Sequence, residues 1–246
     1  MNTDNTAPEV SVVLPIYNEE SCIDGVLDEL CSVLDARLGR PYEVLAVNDG
    51  SSDGTPGLLR AQAARRKNLR VLHLVPNAGQ SAAFCAGFRA ARGCIVVTLD
   101  ADGQNDPADI PAVVARIGAD VDCCCGYRAR RMDTASKRWG SKLANAVRNR
   151  ALGEAIIDTG CSVKAFKVEF VRSLQPWDGL HRFFASYVTM QGGRIVQIPV
   201  NHRPRSAGTS KYTNWRRLQK TIRDLKGVAW LKSRTRRHAV TEEPRG

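Results

Sequence analysis

Short apolar runs alternate with amphipathic segments through the first half of the chain. Each run is rich in β-branched residues, which is typical of buried strands; the predicted strands cover residues 10–16, 42–47, 69–75, 95–99 and 121–127. Helical spacing predicts helices over residues 21–38, 82–91 and 107–117. Thr55-Pro56 predicts the start of a further helix, with Thr55 as its N-cap and Pro56 in its first turn. This alternation predicts a parallel, doubly wound α/β sheet.

The pattern becomes less regular after residue 128. A basic loop at 128–138 precedes a predicted helix at 139–152; the later predicted elements are a strand at 162–166, a helix at 177–191, a strand at 194–200 and a helix at about 213–231. We therefore expect a disordered lead (1–8), one α/β domain (9–212), an amphipathic helix (213–232) and a basic, polar tail (233–246).

The final predicted helix has an apolar face and a basic face. Its apolar positions recur at spacings of three and four: Trp215, Leu218, Ile222, Leu225 and Ala229. Such a helix can lie in a membrane interface, where each nearby Lys or Arg contributes about 1 kcal/mol. It can also pack on its own domain with a solvated basic side. The sequence leaves both interpretations open.

Basic residues are concentrated near the C-terminal end. The formal net charge is +11, and residues 203–238 hold twelve Lys or Arg and one acid, so this segment carries the whole excess. A basic C-terminal segment predicts an anionic partner, either a membrane surface or a nucleic acid. Because the rest of the chain is balanced in charge and contains no recognised nucleic-acid module, the membrane is favoured.

The cysteine pattern argues against disulfides and zinc sites. The eight cysteines form no C-x-x-C pair and no His lies at zinc-ligand spacing, so we interpret them as reduced core residues. No run of 18 apolar residues predicts a transmembrane helix, and the polar, acidic N-terminus is unlike a secretory signal. We expect a cytoplasmic protein, peripheral on the inner face of the membrane.

Polar and acidic side chains follow three of the predicted strands. They are Tyr17, Asn18 and Glu19 after the first strand, Asn48 and Asp49 after the second, and Asp100, Ala101 and Asp102 after the fourth. The carboxyl ends of parallel strands share one edge, where α/β proteins bind ligands. An isolated Asp-x-Asp is more often a solvated turn. An acidic cleft, however, accepts phosphates only with a bridging cation, so the set favours a divalent metal and a nucleotide.

Five segments together resemble the family 2 glycosyltransferases with the glycosyltransferase-A fold. They are SVVLPIYNEE (11–20), VNDGSSDGT (47–55), NAGQSAAFCAGFRAARG (77–93), LDADGQNDP (99–107) and HRPRSAGTSKY (202–212). Within the family, the chain is similar to the dolichol- or polyprenyl-phosphate mannosyl- and glucosyltransferases. That fold is a Rossmann-like, mostly parallel α/β sheet, to which this chain adds its C-terminal basic amphipathic helix.

The resemblance implies inverting transfer of a hexose from a nucleotide sugar to a polyprenyl phosphate. GDP-mannose is the first expected donor and a UDP-hexose the next. The implied nucleotide-binding residues are Pro15, Tyr17, Glu19, Val47, Asp49, Asp100, Ala101 and Asp102. Asp100, Asp102 and Gln104 would hold Mg²⁺ or Mn²⁺, with Asp102 also expected to be catalytic. The acceptor phosphate would be contacted by Arg128, Lys137, Arg205 and Lys211.

Two other functions remain open at this stage. A related enzyme with a saccharide hydroxyl acceptor would need a carboxylate base, for which Asp158 is the candidate, although its D-T-G-C context also fits a structural turn. A nucleic-acid-binding protein would use the basic C-terminus. His181 and His202 are isolated, and we interpret neither as a base; a role in a loop or at the acceptor site remains open for both. Many polyprenyl-phosphate relatives carry C-terminal transmembrane helices, which this sequence lacks, so we expect peripheral attachment or a membrane-protein partner.

Overall fold

One seven-stranded sheet organises the protein. The computed structural model describes residues 7–129, 135–203 and 214–236, with the side chains of 135–143 and 214–219 outside the description. The strands are β1 Val10–Ile16, β2 Tyr42–Asn48, β3 Leu69–His73, β4 Ile95–Thr98, β5 Cys123–Arg128, β6 Lys164–Lys167 and β7 Ile195–Val200, in the order β3-β2-β1-β4-β6-β5-β7. The α-helices are α1 Ile23–Arg37, α2 Thr55–Arg65, α3 Gln80–Ala90, α4 Ile110–Val114, α5 Ala135–Leu152, α6 Phe184–Met190 and α7 Asn214–Arg234.

The first half of the sheet is parallel, as predicted. β1 pairs with β2, placing Pro15 beside Val47, and with β4, placing Val13 beside Thr98. The predicted strands and helices of this half are confirmed, with shifts at their ends. One cap prediction is wrong: Gly54 is the N-cap of α2 and Thr55 its first residue. The carboxyl ends of β1, β2 and β4 lie side by side.

One strand of the sheet is antiparallel, so the sheet is mostly parallel, as the resemblance implies. β6 lies between β4 and β5 and runs antiparallel to both. The chain leaves the carboxyl edge after β5, forms α5 and re-enters the sheet at the same edge, so β6 must run in the opposite direction. Its first residue, Lys164, therefore pairs with Thr98, the last residue of β4.

Apolar layers cover both faces of the sheet. One layer packs beneath α1, α2 and α4, and the other beneath α3 and α6. In the second layer, the Phe184 ring lies 5.1 Å from the Phe88 ring and 6.1 Å from the Phe166 ring, centroid to centroid. This aromatic cluster joins α3, α6 and β6, because one ring comes from each.

Six of the eight cysteines are buried, as the sequence predicted, whereas Cys22 is half-buried and Cys94 is exposed. Cys124 faces the first apolar layer, while Cys123 and Cys125 face the second, with their sulfurs 3.5 Å apart. Within the described residues, no three His, Cys, Asp or Glu side chains converge as a metal site.

The helix predicted at 177–191 begins later than expected. Gly179 has a φ of 104°, which interrupts any helix at that point. A 3-10 turn over Leu180–Phe183 follows and leads into α6.

The final helix, α7, packs on the domain. Its residue Val228 is buried with Leu152 and Phe183, and Leu225 and Ala229 of the predicted apolar face pack against this cluster. Part of the surface of those two side chains is therefore used in packing on the domain. Among the described residues, no helix has the length and apolar character needed to cross a membrane.

Candidate active site

A cleft of about 480 Å³ opens at the edge where β1, β2 and β4 end. Such a volume suits a ligand larger than a monosaccharide. The predicted nucleotide-binding residues that line it are Pro15, Tyr17, Glu19, Asp49, Asp100, Ala101 and Asp102. Val47 is fully buried in the core, so its side chain does not reach the cleft. We call this space the donor cleft.

The loops after β1 and β2 are tied together beside the donor cleft. The Glu19 amide donates to the Thr55 hydroxyl at 3.0 Å, and the Gly54 amide donates to the Glu20 carboxylate at 2.6 Å. Tyr17 leaves 47 % of its surface exposed on this wall. An exposed aromatic ring beside a polar cleft can stack on the flat face of a nucleobase.

Asp49 builds the opposite wall through its carboxylate. It accepts hydrogen bonds from the Ala78 amide (2.8 Å), the Gly79 amide (2.9 Å) and the Asn77 side chain (3.0 Å). Gly50 has a φ of 68°, and a Cβ there would lie 2.9 Å from the Asn77 nitrogen, so only glycine permits this close approach. Asp49 therefore fixes the loop that leads into α3.

Two carboxylates, Asp100 and Asp102, lie close enough in the turn after β4 to repel each other. The pKa of Asp100 is raised, chiefly by burial and also by repulsion from Asp102. The hydrogen bond from Ser162 and the positive charges of Lys164 and Arg128 lower this pKa and offset part of the rise. Gln80 donates to the Asp100 carboxylate at 2.8 Å. A bound divalent cation would relieve this repulsion, so two hard oxygen donors at the cleft fit Mg²⁺ or Mn²⁺.

Asn105, which the sequence did not single out, orients this turn. Its side-chain oxygen accepts from the Asp100 amide at 3.1 Å and from the Ser162 hydroxyl at 2.8 Å. Gln104, the predicted third metal ligand, contributes its backbone: its amide donates to Asp102 and its carbonyl accepts from an amide in the loop after β7. Gln104 is not among the described residues that line the donor cleft.

Arg128 and Asp158 form a two-pronged ion pair. The Arg128 Nε and Nη2 atoms donate to the two Asp158 carboxylate oxygens at 2.7 and 2.9 Å. Asp158 is 5 % exposed and also accepts from the Gly160 amide at 3.2 Å. Its carboxylate therefore orients the Arg128 guanidinium and the following turn, which agrees with the structural interpretation of its D-T-G-C context.

A second, smaller cavity of about 200 Å³ adjoins the donor cleft, and we call it the inner cavity. Gln80 and Asp100 line both spaces. Its other walls come from residues 159–162, Lys164 and the 3-10 turn that begins α6, including His181. Asp100 is the one carboxylate among the described residues that line it.

Three predicted acceptor contacts are not tested by the structure. Lys137 lies within α5, where its side chain is outside the description, and Arg205 and Lys211 fall outside the described residues. Their contact with an acceptor phosphate remains a prediction.

Sequence reasoning also missed Ser81 and left Lys164 without a role, and for His181 it left a loop or acceptor-site role open. Lys164 is 4 % exposed, although it starts a strand. A lysine inside the apolar run V-K-A-F was the one available signal, because buried lysines are rare unless they have a partner.

The sequence matches known proteins over most of its length. Residues 11–174 match the family profile described as Glycosyl transferase family 2. The undecaprenyl-phosphate 4-deoxy-4-formamido-L-arabinose transferase of Pseudomonas aeruginosa is 37 % identical over 211 residues, or 85 % of this chain and 62 % of the relative. The enzyme of the same name from Edwardsiella ictaluri is 34 % identical over 214 residues, or 86 % and 65 %. The chain thus spans somewhat under two thirds of these relatives.

Solved structures share the fold. Glucosyl-3-phosphoglycerate synthase from Mycobacterium tuberculosis superposes with a TM-score of 0.69 at 20 % identity, covering 92 % of this chain and 80 % of that one. The mannosyltransferase PcManGT from Pyrobaculum calidifontis gives 0.63 at 20 % identity, covering 93 % and 65 %. The fold is therefore the glycosyltransferase-A fold, and the family profile, which covers residues 11–174, shows that the chain belongs to glycosyl transferase family 2.

Proposed function

We propose that the protein transfers a sugar from a nucleotide sugar to a polyprenyl phosphate with inversion at the anomeric carbon. The observation that carries this function is the pairing of an acidic donor cleft with an inner cavity that contains a buried lysine. A reaction between two anions needs both to be held without mutual repulsion, and two adjoining spaces of different charge provide this.

The donor diphosphate is assigned to the donor cleft. Asp100 and Asp102 would hold the metal, with Gln104 as the proposed third ligand, and a divalent cation held there would neutralise charge on the leaving diphosphate. The Tyr17 ring stacks on the base, while Asp49 keeps the loop at 77–79 in place through its three hydrogen bonds.

The acceptor is assigned as a phosphate because, among the described residues that line the inner cavity, the one carboxylate is Asp100, which is already assigned to the metal. A saccharide hydroxyl must lose its proton to a carboxylate base, whereas a lipid phosphate is already anionic at neutral pH. Asp158 was the candidate base, and both of its oxygens accept from Arg128. Arg128, Lys137, Arg205 and Lys211 are the proposed phosphate contacts around the cavity.

The names of the two relatives support undecaprenyl phosphate as the acceptor class. For the donor, GDP-mannose and UDP-hexoses stay in the proposal, and a nucleotide-activated 4-deoxy-4-formamido-L-arabinose joins them. Several solved neighbours with this fold contain Mn²⁺ with a nucleotide or nucleotide sugar, which supports a divalent cation. We assign the protein to a membrane surface, where its acceptor would lie.

A donor panel tests this function. Each radiolabelled nucleotide sugar is incubated with a short polyprenyl phosphate and either Mg²⁺ or Mn²⁺, and transfer of label to the lipid is measured. We expect one donor class to label the lipid and a chelator to stop the reaction. Metal-independent labelling would contradict the metal site, and an absence of labelling with every donor would contradict the function.

A further inference from the structure

The hydrogen bonds of Ser81 determine which nitrogen of His181 carries the proton. The Ser81 oxygen accepts from the Gly179 amide at 3.2 Å and from the His181 amide at 3.4 Å. A serine hydroxyl has two acceptor lone pairs and one proton, so the proton remains for its third contact, the His181 Nδ1 atom at 2.9 Å. Nδ1 is thus the acceptor, and the tautomer that carries its proton on Nε2 is selected.

The His181 imidazole is neutral at physiological pH. Burial lowers its pKa to about 4, and the positive charges of Arg182 and Lys164 act in the same direction. Because His181 lines the inner cavity and Nδ1 is held by Ser81, the remaining nitrogen, Nε2, offers an N–H donor to a ligand there. A histidine in this state cannot accept a proton at Nε2, so it acts as a donor and not as a base.

Lys164 brings a buried positive charge to the same cavity. Its ammonium donates to the Cys161 carbonyl, which uses one of its three protons. In the described part of the chain, no carboxylate oxygen lies within 4.0 Å of this nitrogen. Asp100 lines the same cavity and interacts electrostatically with Lys164, but beyond ion-pair distance, so a lysine that is 4 % exposed has lost much of its hydration without a close ion pair. An anionic ligand would supply the missing partner.

The other cation on this wall is already committed. Arg182 donates to the Asp224 carboxylate at 2.7 Å and to the Thr221 hydroxyl at 2.8 Å, both on α7. Its guanidinium therefore holds α7 against the 3-10 turn that carries His181. Among the described residues that line the cavity, the Lys164 ammonium and the His181 Nε2–H are two donors that remain for a ligand.

We propose that Lys164 and His181 bind an oxygen of the acceptor phosphate in the inner cavity, and that Ser81 is a positioning residue that keeps His181 as a neutral donor. This inference rests on the proposed function, because it assigns one cavity to its acceptor. The same donors could bind an oxygen-bearing substituent of the donor sugar, and the experiment separates the two sources.

Direct binding tests the proposal without turnover. The full chain is titrated calorimetrically with citronellyl phosphate, with citronellol, and separately with GDP, UDP and the nucleotide sugars GDP-mannose and a UDP-hexose. We expect Lys164→Met to raise the Kd for citronellyl phosphate about tenfold or more, as for a lost charge-assisted hydrogen bond, and Ser81→Ala to raise it about threefold. The nucleotide Kd should stay unchanged. Lys167→Met, on the same strand but paired with Asp122, and Ser173→Ala, on the exposed surface, are matched controls.

The outcomes separate the possibilities. Weaker nucleotide-sugar binding with unchanged citronellyl phosphate binding would assign the cavity to the donor sugar and overturn the proposal. The proposal would also be overturned if Lys164→Met bound both citronellyl phosphate and the nucleotide sugar as tightly as the wild type. A wild type that does not bind citronellyl phosphate would overturn it as well. Because the titration with citronellyl phosphate contains no donor, a wild type that binds this ligand but transfers no sugar would refute the proposed function alone.

The tautomer provides a second readout that does not depend on a folded variant. In ¹⁵N-histidine-labelled wild type, we expect Nε2 of His181 in the protonated range and Nδ1 in the unprotonated range at neutral pH. The His181→Asn variant assigns the signals among the four histidines. In Ser81→Ala the tautomers should mix. Protonation at Nδ1 in the wild type would overturn the positioning role of Ser81.

Discussion

The two carboxylates after β4 differ in their surroundings although one residue separates them. Asp100 lines both cavities and accepts from Gln80, while Asp102 lines the donor cleft alone. The position of both carboxylates at the edge of the sheet could be predicted from the sequence, because they directly follow a buried strand. Lys164, Ser81 and His181 could not be found in this way. Ser81 and His181 are 100 residues apart, and Lys164 reaches the site on β6, which runs antiparallel to both of its neighbours.

Replacing Asp102 with asparagine should abolish the metal-dependent activity without unfolding the protein. The change removes one negative charge from the proposed metal site, and we expect sugar transfer to fall about 100-fold or more. Transfer rates at saturating Mg²⁺ or Mn²⁺ and the thermal unfolding midpoint are measured together. Asp120→Asn, at an exposed ion pair, is the control. A fully active D102N variant would contradict the metal assignment.

Replacing Asp158 with asparagine distinguishes an orienting carboxylate from a base. The Arg128 guanidinium would lose its charged partner, and we expect about 3 kcal/mol lower stability in urea unfolding, as for other buried pairs that lose one member. The KM for polyprenyl phosphate should rise while kcat largely remains. A loss of kcat by about 100-fold or more with little change in KM would instead indicate general-base catalysis.

Among the helices and strands, the close contact between α3 and β1 positions one wall of the donor cleft. α3 begins at Gln80 on the cleft wall and crosses β1 at Gly87, where an added Cβ would approach Val13 more closely than van der Waals contact allows. The small-residue helix was predictable from composition. Its partner strand followed from the alternation of elements, whereas the antiparallel insertion of β6 depends on a loop path that no local pattern encodes.

Substituting alanine for Gly87 should therefore destabilise the fold by about 1–3 kcal/mol through overpacking. The same change at Gly25 in α1, where no atom lies within 4 Å of the added Cβ, should stabilise by up to about 1 kcal/mol. Urea midpoints with unchanged slopes provide the comparison. Equal effects of the two substitutions would contradict the close packing of α3 on β1.

At the scale of the whole molecule, α7 presents a basic face with two exposed apolar side chains. Ile222 is 47 % and Trp230 63 % exposed, and the exposed cations Arg223, Lys226 and Arg234 lie near them along the helix. The sequence predicted this helix and its charge. It could not decide which apolar residues would remain exposed, since Leu225 and Ala229 are used in packing on the domain.

We predict that the Ile222→Ser, Trp230→Ser double variant binds anionic vesicles about tenfold more weakly, because two apolar side chains no longer enter the lipid. Its stability should be unchanged, since neither side chain is buried. Val75→Ser, which removes another exposed apolar side chain from a distant loop, serves as the control. Equal vesicle retention of the double variant and the wild type would contradict a membrane role for this face.

The central claim is that the acceptor is a phosphate that reacts without a carboxylate base. The most direct measurement compares the initial rates of sugar transfer to a short polyprenyl phosphate, to the corresponding polyprenol and to a free oligosaccharide, with one donor and saturating metal. We predict transfer to the phosphate alone, giving a product with a sugar–phosphate linkage. Transfer to the polyprenol or the oligosaccharide at a rate comparable to the phosphate would contradict the claim.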